Sequence, residues 1–199
     1  SGITVLLSSI TQPLDNNPHH IAISRSGTTM RLFVDGIVED TEESSITVSF
    51  NIEAWEICRH ARSTTQDCGP IYLSEMRFSD IARYTSNFTP STTRFKPDIN
   101  TKLLLHMYGS GSTFTDDPFI DYDCYPILPS GVTVTNNGTF TKTDLGNNKS
   151  VLNFDGSTNH ITFSDNANFT LGTNAFSLVL WTNLNSVNAI HTLFHLFAA

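Results

Sequence analysis

Acidic and imidazole side chains are where this sequence has most to offer chemically. Glu39, Asp40, Glu42 and Glu43 crowd one short stretch. Glycoside hydrolysis needs two carboxylates flanking the scissile bond, but an Asp-Thr-Glu-Glu run in a turn reads as a solvated charge run. Glu75 stands on an apolar strand without a second carboxylate two or four residues away. His19 and His20 are adjacent, yet no Cys/His spacing of a metal site accompanies them. No Gly-rich phosphate loop is present, and no Ser-His-Asp constellation is legible in the linear order. These residues point to a protein that is not an enzyme.

Other side chains could carry covalent chemistry. Cys58 and Cys68 flank a polar loop and can close it as a disulfide, which leaves Cys124 over. Three thiols are the other reading, because spacing does not establish the Cα proximity that a disulfide requires. Glycosylation triplets stand at Asn87, Asn137, Asn148 and Asn168, and they matter only on a secretory route.

The elements that must position these groups are strands. In His20-Ile-Ala-Ile-Ser-Arg-Ser-Gly27, Ile21 and Ile23 alternate with Ala22 and Ser24. Met30, Leu32 and Val34 then alternate with Arg31, Phe33 and Asp35. Period-two alternation is what a half-buried strand requires. Ser26-Gly27 supplies one turn and Asp35-Gly36 the next, the latter a strong hairpin signal. Further strands are expected at residues 3–7, 46–50, 71–78, 102–107, 132–134, 151–154, 159–163, 176–181 and 190–197. Residues 55–70 read as irregular, Ser79 or Asp80 can cap a short helical turn, and 90–97 reads as an extended connector. Trp181 lies within an apolar strand and is expected in the core.

Composition bounds the class. Of 199 residues, 39% are apolar and only 15% charged, which suits a β-protein with Thr-, Ser- and Asn-rich outer faces. The net charge of −8 argues against nucleic acid as a partner, since phosphate binding needs clustered Lys and Arg. No apolar run approaches the ~20 residues of a membrane-crossing helix. The chain opens on Ser1, as a processed protein or a segment of a longer one would.

Longer stretches resemble a known family. Phe154-Asp-Gly-Ser-Thr-Asn-His-Ile-Thr-Phe163 and Asn168-Phe-Thr-Leu-Gly-Thr-Asn-Ala-Phe-Ser-Leu-Val-Leu-Trp181 resemble the first half of a concanavalin A-like, laminin G-type jelly roll. His20 to Gly27 and Leu32 to Gly36 look like its middle, and Ile71 to Pro90 like its last strand and exit segment. The resemblance implies an all-β antiparallel sandwich with its halves in permuted order. Residues 1–108 would be the family's C-terminal half, 109–130 a linker or long loop, and 131–199 its N-terminal half, in the same permuted domain or the next repeat. Pro18, Ser74 and Tyr108 depart from the family pattern, and the last two remove carboxylates.

What the resemblance implies for function is binding rather than catalysis. Such domains hold Ca²⁺, for which Asp155, Asn159, Asp165 and Glu75 are the oxygen donors to test. They also bind glycans on aromatic platforms, for which Trp55, Tyr72, Tyr122 and Tyr125 stand in or beside polar segments. Ala82 to Pro90 looks like segments of phage tail and other virion proteins. The expected role is therefore a non-enzymatic structural and adhesion module of a virion or extracellular filament. It would assemble with other copies or particle proteins through sandwich contacts or strand exchange. The alternative is a secreted calcium-dependent lectin.

Overall fold

The computed structural model describes residues 7–11, 13–45, 48–49, 55–58, 70–107, 109–110, 113–114, 129–146, 149–164, 166–184 and 194–195. Among them, regular structure is strand apart from one 3-10 turn at Ala167–Phe169. Strands β1 (His19–Ser26), β2 (Thr29–Val34) and β3 (Ile37–Glu43) form the expected meander. Asp35 and Gly36 both take positive φ, 49° and 81°, as a two-residue hairpin turn matched to strand twist requires. β4 (Val48–Ser49), β5 (Trp55–Ile57), β6 (Ile71–Ser79) and β7 (Thr101–Leu105) follow. A small hairpin, β8 (Gly109–Ser110) and β9 (Thr113–Phe114), lies in the segment read as a linker. Then come β10 (Val134–Asn137), β11 (Thr141–Gly146), β12 (Lys149–Phe154), β13 (His160–Phe163), β14 (Thr170–Gly172), β15 (Phe176–Leu184) and β16 (Phe194–His195).

Eight strands make one antiparallel sheet: seven in the order β11-β12-β6-β15-β1-β2-β3, and β7 paired to β6 off this path. β12 and β7 share one edge of β6, β12 against its first residues and β7 against its last. β15 comes from the second half of the sequence and is seated between β1 and β6 from the first. A four-stranded sheet, β10-β13-β5-β16, covers the inner face. Ile57, Ile161 and Phe163 from it meet Ile21, Met76, Phe78, Leu103, Phe154 and Leu178 in one buried cluster. Each such side chain stabilises the fold by roughly 1.5–3 kcal/mol when removed from water. The chain is thus an all-β antiparallel sandwich.

The outer face of the large sheet is covered at one end by residues 80–97, which cross it without regular structure. Phe33, Ala22, Leu104 and Val179 rise from the strands to meet Phe95, Tyr84 and Phe88 of this strap. The Tyr84 and Phe88 rings stack with centroids 3.6 Å apart. Gly36 admits the strap: Phe88 N–H donates to its carbonyl at 2.9 Å, and a Cβ there would collide with the Phe88 carbonyl.

Three local expectations are corrected, and one strand forms where none was expected. The helical turn at Ser79-Asp80 does not form. Ser79 remains in β6, where its Oγ accepts from Arg83 Nε, and the Asp80 N–H goes to the Asn100 carbonyl. The Ser79 hydroxyl is spent on the strap and the Asp80 carboxylate on Lys102 of β7, at 2.8 Å. Residues 55–57 are a strand, not irregular, because β5 pairs with β13. Residues 141–146 form a strand with no apolar run to announce it, paired to β12 at the sheet edge. Trp181 is half-buried on the outer face rather than in the main core.

Candidate functional site

Beyond the strap, the same outer face opens into a cleft of about 400 Å³. Tyr72 and Ser74 of β6, Trp181, Thr182 and Asn183 of β15, Thr143 of β11 and Val151 of β12 line it, with Asn16 and Pro18 as rim. None of the lining residues is charged. A β-bulge creates this lining. β15 pairs Trp181 with Glu75 but Thr182 with Leu73, so Ser74 is the extra residue. Side chains alternate faces along a strand, so one extra residue flips the phase. Ile71 and Leu73 therefore point into the core and Tyr72 outward, while past the bulge Met76 and Phe78 point inward. Were Ser74 paired in regular register instead of bulged, Tyr72 and the Met76/Phe78 pair would share a face.

Tyr72 and Asn183 are cross-strand neighbours. Thr182 Oγ1 donates to the Tyr72 carbonyl at 3.1 Å, which fixes the strand pair under the cleft. Asn183 Nδ2 donates to the Asn16 carbonyl at 2.8 Å, while its Oδ1 is buried without a hydrogen-bond partner. A buried acceptor left unpaired is costly and calls for a donor.

The rim is held by a three-residue bridge. His19 Nε2 is 2.8 Å from Asp15 Oδ1, and its Nδ1 is 2.7 Å from Asp35 Oδ2. Asp15 also accepts from the Asn17 backbone and side chain, both at 2.9 Å. Asn16, between them, takes a φ of 64°. Burial alone would lower the His19 pKa, but the hydrogen bonds and charges of Asp15 and Asp35 outweigh it and raise the pKa above its ordinary value. Asp15 is held well below the usual carboxylate range by Asn17 and then His19.

His20, one residue on, is its opposite. It is fully buried, with both ring nitrogens unpartnered. Tyr84, Phe88, Phe95 and Trp181 surround it edge-on at 5.3–6.1 Å. Burial pushes its pKa down to about 4.

Of the calcium donors expected from the sequence, Asp155 and Asn159 lie together in the turn after β12. Asp155 accepts from the N–H groups of Ser157, Thr158 and Asn159 and from the Thr158 hydroxyl. Burial would raise its pKa, but these hydrogen bonds hold it below the usual carboxylate range. Asn159 is buried against Gly138 and donates to the Thr139 carbonyl. Glu75 is elsewhere, on β6, where it pairs with His106 Nδ1 at 2.8 Å and accepts the Phe95 N–H. Asp165 lies outside the described residues, among which no group of three His, Cys, Asp or Glu side chains is placed to hold a metal.

Of the aromatic platform, Tyr72 lines the cleft, and Trp55 opens β5 opposite Phe163 in the other sheet. Tyr122 and Tyr125 lie outside the described residues. Trp181, the cleft's second ring, was missed because its neighbours Leu178 and Leu180 made the strand read as all core; a period-two reading places it opposite them. Cys58 is buried in the core, and Cys68 lies outside the described residues. Asn87 spends its Oδ1 on the Val38 N–H of edge strand β3, Asn137 bonds Thr162, and Asn168 bonds Asn166. Asn148 lies outside the described residues. Comparison with family models, with curated proteins and with solved structures returned no match.

Proposed function

We propose that this chain is a non-enzymatic adhesion module of the concanavalin A-like, laminin G-type kind, borne by a virion or another extracellular assembly, and that it holds uncharged carbohydrate in the outer-face cleft. The observation that carries the reading is the cleft lining: Tyr72 and Trp181 on neighbouring strands, ringed by Asn16, Ser74, Thr143 and Asn183. Sugars present apolar C–H faces and a fringe of hydroxyls. Aromatic rings suit the first, and amides and hydroxyls suit the second. With no charged side chain in the lining and a net charge of −8 on the chain, neutral saccharides are favoured over sialylated or sulfated ones.

The test is a glycan array followed by calorimetric titration of Tyr72→Ala and Trp181→Ala. Binding to neutral saccharides, weakened roughly tenfold or more by either change, is the expected result; tenfold corresponds to about 1.4 kcal/mol. A flat array, or binding that ignores both substitutions in folded protein, would sink the proposal.

A further inference from the structure

The rim bridge has a consequence for the cleft beside it. A neutral imidazole carries one N–H and one lone pair. At His19 both ring nitrogens face a carboxylate oxygen, at 2.7 and 2.8 Å. In the neutral ring the lone pair would confront an anionic acceptor, so only the imidazolium satisfies both contacts. The charged groups acting on the ring are Asp15 on the loop before β1 and Asp35 on the β2–β3 turn. Its register partner across β15 is the uncharged Thr182.

The loop that this ring ties down is the cleft rim. Asp15 organises Asn17 through two hydrogen bonds, and Asn16 and Pro18 line the cleft. The Asn16 carbonyl in turn takes the Asn183 amide and so sets which way Asn183 Oδ1 points. A chain of contacts therefore runs from the imidazolium to the one orphaned acceptor of the lining. We infer that His19 is a positioning residue for the cleft: its imidazolium ties Asp15 to Asp35, keeps the 16–18 rim seated and thereby holds the Asn183 side chain in its place in the cleft lining.

This inference rests on the cleft being the binding site. Loss of the His19 proton turns one of the two carboxylate contacts repulsive, so the rim loosens and saccharide affinity falls as pH rises through the His19 titration.

The experiment has a part without ligand and a part with it. By NMR on the whole chain, the His19 ring, the Asn183 side-chain amide and the exchange protection of the Asn17 N–H are followed from pH 5 to 9, a range set about the ordinary His value of roughly 6.5. Titration with cellotetraose, maltotetraose and mannotriose follows over the same range. The expected result is one shared midpoint for all three NMR signals, and a fall of roughly fivefold or more in affinity across it. Asp35→Asn removes one carboxylate and should move that midpoint down. His19→Gln should abolish the transition and leave affinity flat and weak. Asn183 and Asn17 signals that stay constant while His19 titrates would overturn the inference, even if the saccharides bind. A rim that titrates with His19 while none of the saccharides binds at any pH would keep the latch and overturn the cleft reading.

Discussion

Two regions share the outer face of the eight-stranded sheet and are finished differently. At one end the 80–97 strap lays Tyr84, Phe88 and Phe95 over Phe33, Ala22 and Val179, and water is excluded. At the other end no described segment covers Tyr72 and Ser74, and among the described residues the same sheet becomes an open cleft. Trp181 stands on the border, against His20 on one side and facing the cleft on the other. Strands of the same sheet floor both places, with the Ser74 bulge under the cleft. What separates a second core from a candidate site is how far an irregular segment reaches, and that reach is set by Gly36, by the Arg83–Asp98 ion pair at 2.7 Å and by Asn87 on the Val38 N–H. His19 and His20 repeat the contrast within two residues. One bridges two carboxylates at the cleft rim that raise its pKa, and the other is dry under the strap, where burial lowers its pKa.

Substitutions at the two ends should therefore have different readouts. Phe33→Ala, under the strap at 0% exposure, should cost ~4 kcal/mol in urea unfolding, the usual range for a buried Phe truncation. A cost below ~1 kcal/mol would mean that the strap is not packed as a second core. Gly36→Ala should cost ~3 kcal/mol, because it combines a φ of 81° with a collision against the Phe88 carbonyl. It should also deprotect the strap amides to hydrogen exchange while leaving β6 and β15 protected.

Acid should act on the strap end. The folded His20 pKa, about 4, lies below the ordinary 6.5, so the unfolded chain takes up the proton first. Stability present above pH 6.5 is then lost as pH falls toward 4, by ~3 kcal/mol in all. His19 runs the other way: its pKa is raised, so its contribution is complete below 6.5 and disappears as pH rises through the folded value. Urea unfolding of His20→Leu across pH 4–7, a span covering that titration, should show the acid slope flattened; an unchanged slope would assign it to other groups.

The smallest effects belong to the cleft end and the turn after β12. Asp155→Ala should cost ~1 kcal/mol, the loss of a side chain that caps several backbone N–H groups. Saccharide binding in the cleft should be unmoved by chelator, since no carboxylate is part of the lining. A loss of binding in EDTA would tie the cleft to a metal and favour the calcium-dependent reading.

Much of the scaffold is legible along the chain. Ile21/Ile23 and Met30/Leu32/Val34 alternate because one face of each strand must be dry, and Asp35-Gly36 marks its turn because only certain residues tolerate two successive positive φ angles. β11 was not legible: Thr141, Lys142 and Thr143 carry no apolar pattern, since an edge strand with an open face needs none. The site was half legible. Tyr72 stood out as an aromatic beside a polar residue, whereas Trp181 was hidden by its apolar neighbours.

Local order along the chain thus determined most of the strands, where they turn, and that the protein is an antiparallel β-sandwich, because alternation and turn chemistry act over a few residues. Tertiary structure alone decided the rest. It seated β15 between β1 and β6, placed the bulge at Ser74 that turns Tyr72 outward, and closed Asp15, His19 and Asp35 into a bridge. It also made His19 and His20 electrostatic opposites. Each of these depends on contacts between residues far apart in sequence, or on which face of a strand a covering segment reaches, and neither is written in the spacing of the residues themselves.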